Sequence, residues 1–272
     1  MNGKTLARDQ FTTRVDNHSY RYGDGLFETM KVKNERILLR DLHFERLFNS
    51  LAVLRIPTPK FFTVEHLERE IIETCRKNKC AQLGRVRLSV TRGNGGLYDA
   101  DENFQWVIEC WPLNESANKL NENGLIIDIF PDVKKSCDIF SNLKSASHLP
   151  YVMGAVHVKE NKLNDCLLLN TYGRICDSTI ANVFWVKDGD IFTPPLKEGC
   201  IAGVMRRFLI ESAQGSRYKV QEQSCKVNEL EVADEVFLTN AIQGIRWVKQ
   251  FRDKSFGNDI TRASSRSLLE AD

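Results

Sequence analysis

Apolar and polar positions change period repeatedly along this chain, and each change predicts an element. Leu26 to Val32 is apolar and β-prone, which predicts a strand, with a turn at Lys33-Asn-Glu-Arg36. Leu42, Leu47, Leu51 and Leu54 recur at helical spacing and predict a helix over Asp41–Leu54 that ends before Pro57. Val64–Asn78 predicts a second amphipathic helix. Val86-Arg-Leu-Ser-Val-Thr91 alternates and is β-branched, as a half-buried strand should be, and Trp106–Trp111 is also strand-like. The stretch from Pro112 to Gly124 is polar and rich in Asn, which predicts an interdomain linker. Beyond it the predicted strands are short and numerous: Leu125–Phe130, Asp165–Asn170, Asn182–Val186, Ile191–Thr193, Glu235–Leu238 and Ile245–Val248. Helices are predicted over Pro150–Glu160 and Val204–Ala213, and the weakly periodic tail after Phe256 fits a frayed helix or a disordered end. The chain therefore reads as α+β, with a small α+β domain over 1–112, a linker over 113–124, and a larger mixed-sheet, barrel-like domain with flanking helices over 125–272. Periodicity does not decide the topology of that larger domain.

Composition narrows the function. A chain of 272 residues with 42% hydrophobic and 27% charged residues has the make-up of a soluble globular protein with a real core. The net charge is +2 and the basic residues are spread along the chain, so a nucleic-acid partner is not expected. No apolar run approaches the ~20 residues that cross a bilayer. The first ten residues have no apolar core of a secretory signal. The eight cysteines are irregularly spaced and form no C-x-x-C, which predicts reduced, buried thiols in the cytoplasm and no metal site.

Candidate chemistry is sparse on residue types alone. Tyr22-Gly-Asp-Gly25 and Arg92-Gly-Asn-Gly-Gly96 are glycine-rich but match neither nucleotide-binding pattern, G-x-x-x-x-G-K-[ST] or G-x-G-x-x-G. Gly203 stands immediately before a helical pattern, where free N–H groups could meet an anion or where the chain simply turns. Lys144 lies in Asn142-Leu-Lys-Ser-Ala-Ser-His148, between a strand-like and a helix-like segment, and spacing does not single it out among many lysines. A lysine amine, an anion-binding helix start, an arginine clamp and an apolar wall are together what a pyridoxal phosphate site needs.

Five blocks, in order, say more. They are Tyr22-Gly-Asp-Gly-Leu-Phe-Glu-Thr29, His43-Phe-Glu-Arg-Leu47, Leu143-Lys-Ser-Ala-Ser-His-Leu149, Gly173-Arg-Ile-Cys-Asp-Ser-Thr-Ile-Ala-Asn-Val-Phe184 and Ile201-Ala-Gly-Val-Met-Arg206. Together, over nearly the whole chain, they resemble the class IV aminotransferase family. These are the fold type IV pyridoxal phosphate enzymes, which include branched-chain and D-amino-acid aminotransferases and aminodeoxychorismate lyases. The resemblance implies that Lys144 is the Schiff-base lysine and Arg46 a phosphate ligand. It implies that Asp177 faces the pyridine nitrogen, and that Gly203, Val204 and Met205 cradle the phosphate with Asn240 and Ala241 from the late Thr239-Asn-Ala241 segment. Tyr22, Phe27 and Thr29 would line the substrate side, with Arg92 or Arg21 meeting the substrate carboxylate. A homodimer is also implied.

Four positions depart from the family pattern: Asp177 replaces a glutamate, Met205 a threonine, Ala241 a hydroxyl residue and Ala202 a proline, the last only loosening the turn. Each lost phosphate donor costs ~1–3 kcal/mol if nothing substitutes for it. Leu97 stands where the lyases carry an arginine. The implied function is an aminotransferase acting on an amino or keto acid. The alternatives are a 4-amino-4-deoxychorismate lyase releasing pyruvate and 4-aminobenzoate, and a non-catalytic member that only binds the cofactor.

Overall fold

The computed structural model describes residues 1–101, 103–214 and 218–270. They fall into two units, a smaller one of residues 1–115 with Leu143–His148, and a larger one of residues 116–142 and the chain from Leu149 onward.

The smaller unit contains α1 (His18–Tyr22), β1 (Gly25–Lys33), β2 (Arg36–Ile37), α2 (Arg40–Val53), α3 (Val64–Lys77), β3 (Leu83–Thr91) and β4 (Gln105–Pro112). Its antiparallel sheet runs β2-β1-β3-β4, with Leu26 opposite Val90, Glu28 opposite Leu88 and Met30 opposite Val86. Alternation sends Leu26, Met30, Val86, Leu88 and Val90 into a core completed by Phe44, Leu47 and Leu51 of α2 and Leu67 and Ile71 of α3. Each such buried side chain contributes about 1.5–3 kcal/mol. The leucine spacing of α2 thus reports its buried face. Helix α3 starts at Val64 because the Thr63 hydroxyl accepts from the His66 N–H.

The segment carrying Lys144 lies along β1. Phe27 N–H donates to the Lys144 carbonyl at 3.0 Å, and Ala146 N–H donates to the Gly25 carbonyl at 2.8 Å. Gly23 permits this: it takes a left-handed φ of 68° at the end of α1, and a Cβ there would stand 3.1 Å from Ser147 Cα. Gly25 serves the sheet itself, since a Cβ there would stand 2.6 Å from the Val90 carbonyl oxygen. The five-residue α1 carries too little periodicity to be predicted.

The larger unit contains β5 (Leu125–Lys135), α4 (Leu149–Glu160), β6 (Asp165–Asn170), β7 (Ile175–Ser178), β8 (Asn182–Lys187), β9 (Asp190–Thr193), α5 (Val204–Ser212), β10 (Val220–Glu222), α6 (Val227–Glu231), β11 (Glu235–Asn240), β12 (Gly244–Phe251), β13 (Lys254–Ser255) and α7 (Asp259–Glu270). Strands β8, β11, β12, β5, β6 and β7 pair in sequence, and β7 pairs back to β8, so the sheet closes on itself. Strands β9 and β10 extend it from β8, and β13 pairs with β12. Pairing is mixed, with β5 parallel to both β6 and β12. Ile127, Leu167, Ile175, Val183, Trp185, Val236, Leu238 and Val248 cluster as one core drawn from all six strands of the ring. On the alternate positions Phe184 and Phe237 stack under α5 at 5.0 Å between ring centroids, while Cys166 and Leu168 cluster with Tyr151 of α4. Burial on both faces explains why β6 and β8 read as unbroken apolar runs. The tail is a regular helix from Asp259, its first turn held by Glu235, which accepts from the N–H groups of Ile260 and Thr261.

Candidate active site

In the smaller unit, the alternate face of the sheet carries Phe27, Thr29, Arg87 and Ser89; Thr29 is the register partner of Arg87, and Phe27 of Ser89. Two cations flank the Phe27 ring. Lys144 Nζ lies 4.4 Å from its centroid and the Arg87 guanidinium 3.8 Å. His148 meets the same ring edge-on at 5.4 Å. Arg87 also donates to the Ser89 hydroxyl at 3.1 Å, and no carboxylate lies within ion-pair distance of it among the described residues. Burial without a paired counter-charge pulls the Arg87 guanidinium below its ordinary pKa, although Glu109 opposes the effect. A cleft of about 260 Å³ opens beside it, with Ser19, Tyr20, Phe27, Arg87, Ser89 and Ala146 among its walls.

Behind that sheet lies a buried charge cluster. Arg46 grips Glu28 with Nε at 2.8 Å and Nη2 at 2.5 Å, and His43 Nδ1 stands 2.6 Å from Glu28 Oε2. Burial works against the Glu28 charge, but Arg46 and His43 overcome it and hold the carboxyl at about 2. His43 is driven down by burial, so it sits neutral at pH 7, with Nδ1 carrying the proton toward Glu28. Arg46 is thus fixed in place by a carboxylate that sequence reading left unassigned.

Arg92 and Tyr22 belong to a different surface of this unit. Arg92 donates to both Asp24 oxygens, at 2.6 and 3.2 Å, and to the carbonyls of Leu54 and Arg55 at the end of α2. That geometry gives Arg92 a clamping task. Tyr22 packs edge-on against His18 at 5.1 Å, and both border a cleft of about 650 Å³ that Arg92, Leu97 and Tyr98 also line.

In the larger unit, Asp177, Asn182 and Thr239 form one row of register partners across β7, β8 and β11, so their side chains share a face. Asp177 is buried, with its side chain 2% exposed. Its Oδ2 accepts from Lys135 Nζ at 2.7 Å, Tyr151 OH at 2.8 Å and Ile201 N–H at 3.0 Å. Its Oδ1 accepts from Asn182 Nδ2 at 3.1 Å. Lys135 also bonds Tyr151 directly. Burial opposes the Lys135 charge, but Asp177 beside it prevails and holds the ammonium above its usual pKa of 10.5. Burial and then Asp177 push the Tyr151 hydroxyl far up, so it stays a donor. Lys135 and Tyr151 escaped sequence reading because they lie 42 and 26 positions from Asp177.

Helix α5 begins beside this row. Gly203 is its N-cap, with no side chain capping the first turn, and the N–H groups of Val204 and Met205 open the helix. A Cβ on Gly203 would fall 1.8 Å from Asn182 Oδ1, so only glycine allows the approach. The Thr239 hydroxyl is buried on the same face without a partner among the described residues. Asn240 is occupied with its own turn, accepting from the N–H groups of Ile242 and Gln243, and Ala241 lies within that turn.

The pattern described as Amino-transferase class IV matches residues 25–251 of this chain. The chain belongs to the class IV aminotransferase family. It is therefore an enzyme of the group that includes aminotransferases and aminodeoxychorismate lyases. It is 28% identical over 234 residues to the aminodeoxychorismate lyase of Vibrio harveyi, covering 85% of this chain and 84% of that one. It is 25% identical over 261 residues to the D-alanine aminotransferase of Bacillus licheniformis, covering 94% and 89%. The branched-chain amino acid aminotransferase of Escherichia coli shares its fold at a TM-score of 0.88 and 21% identity, with 99% and 92% covered. Such likeness across the class leaves the individual reaction unassigned. The larger unit's donor set fits the class cofactor, pyridoxal phosphate. The unpartnered Thr239 hydroxyl and the open start of α5 suit a phosphate, and Asp177 Oδ1, with a single donor, has acceptor capacity for a ring N–H. No helix among the described residues is long and apolar enough to cross a membrane.

Proposed function

We propose that this class IV enzyme is an aminotransferase for an amino acid or amino-carboxylate, with pyridoxal phosphate carried on Lys144. The observation that supports it best is the pair of cations on Phe27. They bring an amine able to act as nucleophile and base to the same ring as a cation able to hold a carboxylate. Arg87, desolvated and without a carboxylate partner among the described residues, is suited to a substrate carboxylate by a bidentate bond. We assign this role to Arg87 in place of Arg92, whose donors face Asp24 and two carbonyls. Arg46, Gly203, Val204, Met205 and Thr239 are assigned to the phosphate, and Asp177 to the ring nitrogen. Phe27 and Thr29 line the substrate side; Tyr22 and the 240–241 turn are left to supporting roles.

The bound cofactor supplies an electron sink for the substrate Cα. The chain supplies the rest. Lys144 Nζ takes the Cα proton and returns it, Arg87 fixes the carboxylate, and Phe27 keeps water from the amine. A homodimer and a reducing cytoplasm belong to the same reading, and the eight free cysteines agree with the latter.

The test is reconstitution followed by an amino-acid panel with 2-oxoglutarate. A visible cofactor band that disappears in Lys144→Ala, together with keto-acid formation, is the expected result. A protein that takes up no cofactor refutes the reading, and one that binds it without turnover on any substrate is the non-catalytic member. The Vibrio harveyi likeness favours a second reading, 4-amino-4-deoxychorismate lyase. Release of pyruvate and 4-aminobenzoate without a keto-acid acceptor would establish that reaction instead.

A further inference from the structure

Three thiols converge in the smaller unit, none of them among the residues assigned above. The sulfurs of Cys75, Cys80 and Cys110 all lie within 4.8 Å of one another. Their sequence spacing conceals this, because the end of α3 falls between the first two. Asn78 closes the helix, Lys79 takes a left-handed φ of 55°, and Cys80 N–H returns to the Cys75 carbonyl at 3.0 Å. The turn therefore folds Cys80 back over Cys75. Gly84 lets it settle there, since a Cβ at that position would stand 2.4 Å from the Cys80 carbonyl oxygen. Cys110 arrives on β4 opposite Val86, on the face covered by α3. Cys75 and Cys80 are buried, whereas Cys110 is half-buried and leaves one edge of the cluster open.

We propose that Cys75, Cys80 and Cys110 form a binding site for one zinc-class d10 ion, held by three thiolates. Zinc–sulfur bonds of ~2.3 Å place ligand sulfurs ~3.8–4 Å apart, so the cluster needs to contract by less than ~1 Å. The surroundings suit a cation. The site lies at the C-terminal end of α3, where carbonyls point outward, and the Thr74 carbonyl already accepts from Cys110 Sγ at 3.5 Å. Each metal–sulfur bond forms as one S–H proton leaves to solvent, so one divalent ion releases three protons and nothing is oxidised.

The test uses the full chain, reduced and freed of metal by a chelator, titrated with Cd²⁺ and followed by near-ultraviolet thiolate-to-metal absorption and proton release. The expected result is saturation at one ion per chain, about three protons released, and, when Zn²⁺ is bound first, its displacement by Cd²⁺. Cys110→Ser, at the half-buried position, should weaken Cd²⁺ binding by about tenfold or more, whereas Cys137→Ser, outside the cluster, should not. Absence of the band, or equal loss in both variants, overturns the site. No step of this test involves pyridoxal phosphate, so its outcome is independent of the function proposed above.

Discussion

Replacing Lys135 with Met removes a buried ammonium and leaves its carboxylate behind. Lys135 Nζ lies 2.7 Å from Asp177 Oδ2, with the two side chains 7% and 2% exposed. Breaking one side of such a pair costs about 3–5 kcal/mol, because the remaining charge is stranded in a poorly polarisable interior. Tyr151, Ile201 N–H and Asn182 still donate to Asp177, which places the expected loss near the lower end, about 3 kcal/mol. Urea unfolding of Lys135→Met against wild type at pH 7 measures it directly. The pH dependence follows from the raised Lys135 pKa. The pair's contribution is complete below the unfolded value of 10.5 and is lost only as pH rises through the higher folded value. The gap between the two proteins should therefore be constant from neutral pH to the mildly alkaline range and close only above 10.5. Adding Asp177→Asn removes the stranded charge and should recover part of the loss. A gap under about 1 kcal/mol, or a double variant no more stable than Lys135→Met, would refute the reasoning.

Three further outcomes are expected. Glu28 is fully buried, and its carboxyl is held at about 2 against an ordinary 4.5, so its contribution is present above pH 4.5 and disappears as pH falls toward 2. Glu28→Gln should cost on the order of 3 kcal/mol at neutral pH and flatten the acid limb of a stability profile. Gly203→Ala drives a methyl into Asn182 Oδ1 and should destabilise by about 1–3 kcal/mol in thermal unfolding, with loss of the Asn182 bond to Asp177. Arg87→Met should lower kcat/KM by about 10- to 100-fold, through the loss of a charge-assisted bond of about 1.5–3 kcal/mol. An unchanged KM in Arg87→Met would remove Arg87 from the substrate site.

Much of the secondary structure was legible because local periodicity and burial coincide. The leucines of α2 and the alternation of β3 each mark one buried face of an element with one exposed face. Strand β7, four residues with a central aspartate, carries no such mark; it is a strand because β6 and β8 lie on either side of it. The ordered motif blocks were equally local, so Lys144, Asp177 and Gly203 could be proposed as site residues from the chain alone. Their partners could not. Lys135 and Tyr151 reach Asp177 only because β5, α4 and β7 are brought together in the larger unit, and Arg87 meets Phe27 only through the pairing of β1 with β3. The same applies to the three sulfurs, two separated by a helix end and the third on a later strand. Motif identity is written in neighbouring residues, whereas charge pairing and ligand clustering depend on distances across space, which loop length and strand order determine.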